Sequence, residues 1–136
     1  MPGKVELPAV QRGYDLAKEV LGRVSKYPRE YRFTLGDRIA ERTLTVMELL
    51  VEAAYTKDKT RLPSTANKRL EQTRFMLRLS RDLGPLSNNG YEHVMKMVDE
   101  LGRQIGGWQK HAQARDAKDV QEHIPADRGL LSPPWG

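Results

Sequence analysis

Cysteine is absent from all 136 residues. That single absence excludes disulfide scaffolds, thiolate zinc sites and cysteine nucleophiles, and it suits a reducing compartment such as the cytoplasm. Long apolar runs are missing too. No stretch approaches the roughly 20 residues of a membrane span, and the opening "MPGKVELPAVQRGYD" lacks the apolar run of a signal peptide. The expectation is a cytoplasmic protein with no membrane partner. Metal-binding patterns are equally scarce. Di-iron bundles need Glu-x-x-His on inward faces, and none of the ten glutamates has a histidine three residues later. His93, His111 and His123 are scattered, and no glycine-rich phosphate loop occurs. Neither a metal nor a cofactor is expected, and no catalytic residue stands out.

What is present is helical patterning. Apolar residues recur at spacings of three and four in four windows, the mark of amphipathic helices. The first carries Val10, Tyr14, Ala17, Leu21 and Val24, and stops before Tyr27-Pro28, since proline disfavours helix at the residue before it. The second is expected to begin at Thr34, with Asp37 completing a capping-box-like start, and carries Leu35, Ile39, Val46, Leu50 and Ala53. The third follows Pro63 through Ala66, Leu70, Thr73 and Leu77 to a stop at Gly84-Pro85. The fourth starts near Ser87 or Asn89 and carries Val94, Val98, Leu101, Ile105 and Trp108. No window alternates long enough to argue a strand.

Short connections make successive helices antiparallel neighbours, so the fold class is all-α, an antiparallel up-down-up-down four-helix bundle over residues 1–111. Residues 112–136 are expected to form a Pro/Gly-containing tail, in which Leu130, Leu131 and Trp135 could dock. At the corner "YPREYRFTLGDRI", residues 27–39, Tyr27, Tyr31 and Phe33 are expected to plug the end of the core while Arg29 and Arg32 point outward. Gly102 and Gly106, four apart in the fourth helix, suggest close approach of a neighbouring helix.

Charge is the first feature that hints at function. The formal net charge is +5, and residues 1–111 hold 20 Lys plus Arg against 14 Asp plus Glu, so basicity belongs to the bundle. Residues 61–81 contain Arg61, Lys68, Arg69, Arg74, Arg78 and Arg81 against Glu71 alone. Arg74, Arg78 and Arg81, spaced four and three, share a helix face. Guanidinium ridges suit phosphate backbones through salt-sensitive, sequence-independent contact. Asp37, Glu41, Glu48 and Glu52 form an acidic stripe on the second helix, read as solvated surface or as a partner for arginines rather than as a general acid–base pair, which would need a cleft.

The second feature is a third helix that is apolar on two sides. Phe75, Leu79 and Leu83 lie roughly opposite the core stripe, whereas a lone bundle helix needs one buried face. Arg42 lies by helical angle beside Val46 and Leu49, where an unpaired charge is costly. The second stripe implies a further apolar contact, with either the C-terminal tail or another subunit, and Arg42 either snorkels or faces a subunit boundary; a homo-oligomer is the favoured expectation.

Taken together, "YPREYRFTLGDRI", "LLVEAAY", "RLEQTRFMLRLSRDLGPLS" and "YEHVMKMVDELGRQIGGWQK" resemble the accessory variability determinant family of diversity-generating retroelements. They are more distantly similar to the four-helix proteins encoded in ribosomal RNA intervening sequences. The similarity covers about residues 12–110, with Phe33-Thr34-Leu35-Gly36-Asp37-Arg38 and Gly106-Gly107-Trp108 its most specific pieces. The resemblance implies a basic homopentameric barrel that binds RNA or DNA, associates with a reverse transcriptase and supports copying of a template RNA into cDNA. Arg38 matches the family's corner arginine. The nucleic-acid-binding set expected from charge and resemblance is therefore Arg29, Arg32, Arg38, Lys68, Arg69, Arg74, Arg78 and Arg81, with Phe75, Leu79, Leu83 and Arg42 at the oligomer interface. The alternatives are a ribosomal RNA intervening-sequence-type four-helix protein or a protein–protein adaptor with a basic surface.

Overall fold

The computed structural model describes residues 6–122, with side chains described for residues 7–118. Helix α1 spans Glu6–Val24. Its buried stripe is Ala9, Gly13, Leu16, Ala17, Val20 and Val24. This corrects the expected stripe: Tyr14 is 54% exposed and Leu21 is 38% exposed. The helix carries two adjacent apolar stripes, and the one with the smaller residues faces inward because it lets α2 approach. A Cβ placed on Gly13 would sit 3.2 Å from Leu50 Cδ1 and 3.6 Å from the Met47 backbone.

Beyond Val24 the chain turns through Ser25, whose hydroxyl donates to the Gly22 carbonyl at 2.7 Å, and Tyr27, which is buried. Burial lifts the Tyr27 phenol above its ordinary pKa, and the Ser80 hydroxyl and Arg23 charge pull it only partly back. Past Pro28 the helix restarts earlier than expected. A short α-turn at Arg29–Tyr31 runs into a π-turn at Arg32–Gly36, and α2 continues over Asp37–Ala54. Thr34 is thus inside a helical segment and is no cap. Its hydroxyl donates back to the Glu30 carbonyl at 3.3 Å. The proline explains the change, because its fixed φ suits the entry to a helix and its missing N–H costs nothing there.

Along α2, Ile39, Val46, Leu50 and Ala53 are buried as expected, as is Leu35 before it, joined by Thr43, whose hydroxyl donates to the Ile39 carbonyl at 2.7 Å. The Lys59 ammonium donates to the Ala53 and Ala54 carbonyls at 2.7 and 2.9 Å, satisfying acceptors that the end of a helix leaves open. Helix α3 spans Arg61–Leu83 and begins two residues before Pro63. Asp58 holds its start, accepting the Arg61 backbone N–H at 2.9 Å. Ala66, Leu70, Thr73 and Leu77 are buried, as read from the pattern. Gly84, at φ 110°, ends the helix in the left-handed region, and its N–H and that of Leu86 donate to the Ser80 carbonyl.

Helix α4 spans Asn88–Glu122. The Ser87 hydroxyl accepts the Gly90 N–H at 3.0 Å, which caps its start. Val94, Val98, Leu101, Ile105 and Trp108 are buried as expected, and Ala112 adds one further turn. The helix outlasts the bundle: residues 113–118 are exposed yet helical, so residues 112–122 are not the loose tail expected there. Ala114, Arg115, Ala117 and Lys118 are good helix formers without a core to face. Leu130, Leu131 and Trp135 lie outside the described residues.

No strand occurs among the described residues, and the all-α four-helix bundle stands. Helices α1 and α3 each pack against both α2 and α4, so α1 and α3 occupy opposite corners. Two cross-helix pairs, Arg12 with Glu100 and Glu19 with His93, run in opposite order and make α1 and α4 antiparallel, and Arg74 with Asp99 ties α3 to α4.

Gly102 and Gly106 do not serve close approach. Leu70 Cδ2 lies 3.9 Å from a Cβ built on Gly102, and nothing lies within 4 Å of one built on Gly106. Gly106→Ala should therefore raise unfolding stability, by up to about 1 kcal/mol from helix propensity. Gly13→Ala should fall short of that gain because of the Leu50 contact. Urea unfolding of both variants checks the pair.

Candidate nucleic-acid interface

The cations expected to meet phosphate fall into two groups. Arg74 is the most engaged. Its guanidinium donates to Asp99 at 2.5 Å and to Glu71 at 3.3 Å. Partial burial works against its charge, but the two carboxylates outweigh that and hold its pKa above the ordinary arginine value. Arg81 donates to Asp82 at 3.2 Å and lies over the Tyr91 ring, 4.3 Å from the centroid. Arg61 donates to Asp58 at 2.7 Å. Arg74 and Arg81 of the ridge are thus paired within the chain, and Arg78 alone of the three keeps its charge uncommitted among the described residues.

The second group is the uncommitted set. Among the described residues no carboxylate pairs with Arg29, Arg32, Arg38, Lys68, Arg69 or Arg78. Arg69 donates to the Gln72 side chain at 3.1 Å, and Arg32 donates to the Tyr27 carbonyl at 3.3 Å. The acidic stripe of Asp37, Glu41, Glu48 and Glu52 is exposed, and among the described residues it pairs with none of the arginines. The carboxylates that pair with the ridge come from Glu71, Asp82 and, on the adjacent α4, Asp99.

At the corner, Tyr27 is buried and Tyr31 is half-buried against the core, but Phe33 is 66% exposed. Phe33 therefore does not plug the core. The π-turn holds one residue more than an α-turn, keeping Tyr31, Leu35, Gly36 and Ile39 inward and turning Phe33 out. Nothing in the hydrophobic pattern marks such a turn.

The two-sided character of α3 is real in space. Phe75 is 65% exposed, with Leu79 and Leu83 beside it nearly half exposed. Arg42 is half-buried with no ion-pair partner among the described residues. A second apolar surface escaped the sequence reading. Leu7, Tyr14 and Leu21 on α1 and Val51 and Tyr55 on α2 are exposed. Tyr14 follows Gly13 and Val51 follows Leu50, the pair that meets across the α1–α2 seam, so these side chains line its outer edge. The seven-residue spacing of Leu7, Tyr14 and Leu21 was the available signal.

Among the described residues no group of three or more His, Asp or Glu gathers to hold a metal ion. No described helix is long and apolar enough to cross a membrane. The molecule is a four-helix bundle with a formal net charge of +5 and exposed apolar faces. The family model described as bAvd-like matches residues 8–112, and the chain belongs to that family, an accessory and non-catalytic kind of protein. No curated protein and no solved structure matches it.

Two carboxyls here are held below their ordinary pKa. Partial burial raises Asp58, but the Arg61 backbone N–H and guanidinium outweigh it, while Glu100 is lowered first by its bond from Arg103 and then by Gln104. For a carboxyl with a depressed folded pKa, the stabilisation is present above the unfolded value and is lost as pH falls through the folded one. Asp58→Asn should thus be less stable than the parent at neutral pH. The difference should be full above about pH 4, the unfolded aspartate range, and should shrink towards zero as pH falls through the lower folded value, in paired urea titrations.

Proposed function

We propose that this protein is a non-enzymatic, oligomeric nucleic-acid-binding accessory that associates with a reverse transcriptase and supports template-RNA-dependent cDNA synthesis in a diversity-generating retroelement. The observation that carries the reading is the set of exposed cations with no carboxylate partner among the described residues: Arg29, Arg38, Lys68 and Arg78. Uncommitted guanidinium and ammonium groups keep their charge for phosphate, whereas Arg74 and Arg81 spend theirs internally. The family membership supplies the accessory role.

Assembly is the second half of the reading. The α3 face of Phe75, Leu79 and Leu83 and the α1–α2 edge of Leu7, Tyr14, Leu21, Val51 and Tyr55 lie on different helices and form two distinct exposed surfaces. Two unlike apolar surfaces suit a head-to-tail contact, which closes into a ring when the rotation allows. A homopentamer is the ring that the family resemblance implies. Arg42, half-buried with no ion-pair partner among the described residues, would belong to that contact.

Binding to mixed-sequence RNA and DNA should weaken steeply with salt. Lys68→Glu with Arg78→Glu should lower the slope of log affinity against log salt by roughly one per phosphate contact removed. Arg74→Gln should change it less, because that charge is already paired. Fluorescence anisotropy over a salt series measures all three, and absence of binding at low salt refutes the reading. For assembly, light scattering should give a multiple of 15.5 kDa that Phe75→Asp with Leu79→Asp reduces towards one chain. A monomeric parent would remove the ring.

A further inference from the structure

We infer that the helical corner at residues 29–38 is a contact for single-stranded nucleic acid, in which the Phe33 ring stacks on a base while Arg29, Arg32 and Arg38 hold the flanking phosphates. The inference rests on the nucleic-acid reading above and names both the form bound and the residues that choose it.

Three observations converge on this corner. The first is Phe33 itself, 66% exposed although its neighbours Tyr27, Leu35 and Gly36 are all buried. A lone exposed phenylalanine on a protein surface is ordinary. This one is held out by a π-turn, a wide helical turn that persists because Tyr31, Leu35 and Ile39 stay against the core on either side of it. Such turns recur at functional sites. The ring is thus presented on a rigid helical element, which keeps the ordering cost of a contact low.

The second is charge. Residues 26–38 carry Lys26, Arg29, Arg32 and Arg38 against Glu30 and Asp37. Among the described residues none of these four cations pairs with a carboxylate, and Arg32 is steadied by its bond to the Tyr27 carbonyl. Arg29 lies four residues before Phe33, about one turn along the helical surface, and Arg38 follows the wide turn in the first turn of α2. An aromatic face between guanidinium groups is the arrangement that binds unpaired nucleotides: every base offers a flat face, and the backbone phosphates run past the cations.

The third is what a duplex would leave unused. Paired bases are stacked on one another and unavailable to a side chain, so a duplex could meet these arginines but not the ring. Elsewhere on the bundle the uncommitted cations Lys68 and Arg78 share α3 with an apolar face that the assembly reading assigns to another subunit. The corner, by contrast, lies at one end of the bundle. A strand could thread past it without competing for the faces that build the ring.

The test compares a single-stranded oligonucleotide of about 12 nucleotides, within the usual footprint of such sites, with a duplex of the same length. Phe33→Ala should weaken single-strand binding roughly 5- to 100-fold, the range seen when a stacking aromatic is truncated, with duplex binding unchanged. Phe33→Trp should retain binding and show fluorescence quenching by the single strand beyond any seen in the parent, whose Trp108 is buried. Equal losses on both forms, or no loss at all, overturn the stacking assignment. A change in the light-scattering mass of Phe33→Ala assigns the ring to a subunit contact and overturns it as well. Parent protein that binds neither form overturns the nucleic-acid reading itself, a result that the Phe33 variants cannot mimic.

Discussion

A dry seam of side chains runs the length of the bundle, from Tyr27 at the corner through Leu16, Leu50, Leu70 and Leu101 to Trp108, and the other features hang from it. Each such residue stabilises the fold by about 1.5–3 kcal/mol when fully withdrawn from water. The seam draws one stripe from every helix. It therefore fixes how each helix is rotated, and rotation decides which residues are left outside. Phe75 faces solvent because Leu70, Thr73 and Leu77 must not, and the acidic stripe of α2 faces solvent because Ile39, Val46 and Leu50 must not.

Rotation also sorts the cations. Arg74 and Arg81 are carried to the α3–α4 edge, where Asp99 and the Tyr91 ring meet them. Arg78, on the same helix, is carried past that edge and keeps no acidic partner among the described residues. An excess of basic residues in one segment is thus a poor guide to free charge, because the compensating carboxylate can arrive from a helix 25 residues away in sequence. The proposed phosphate contacts shift accordingly, away from the middle of α3 and towards the corner, Lys68 and Arg78.

The corner shows how a small backbone choice redirects a side chain. A proline that allows helix to restart at Arg29, followed by a single wide turn, puts two tyrosines and a leucine inside or against the core and one phenylalanine outside. On an uninterrupted α-helix starting at Thr34, Phe33 would belong to a loop free to fold back over the core. The π-turn removes that freedom. The proposed single-strand contact rests on this exposed ring and its flanking arginines.

Read from residue order alone, the number of helices, their approximate spans, their antiparallel sense and most of the core in α2, α3 and α4 were legible. Spacings of three and four, Gly84-Pro85 and the short links are local signals that survive without partners. The second apolar face of α3 was legible for the same reason. The buried stripe of α1 was not, because two stripes of similar strength compete there, and only the fit of Gly13 against Leu50 breaks the tie. Which arginines are neutralised, where Phe33 points and how far α4 outruns the core depend on contacts between residues distant in sequence, or on a turn with no apolar period of its own. Local pattern determines what each helix can bury; the mutual packing of four helices decides what each leaves exposed.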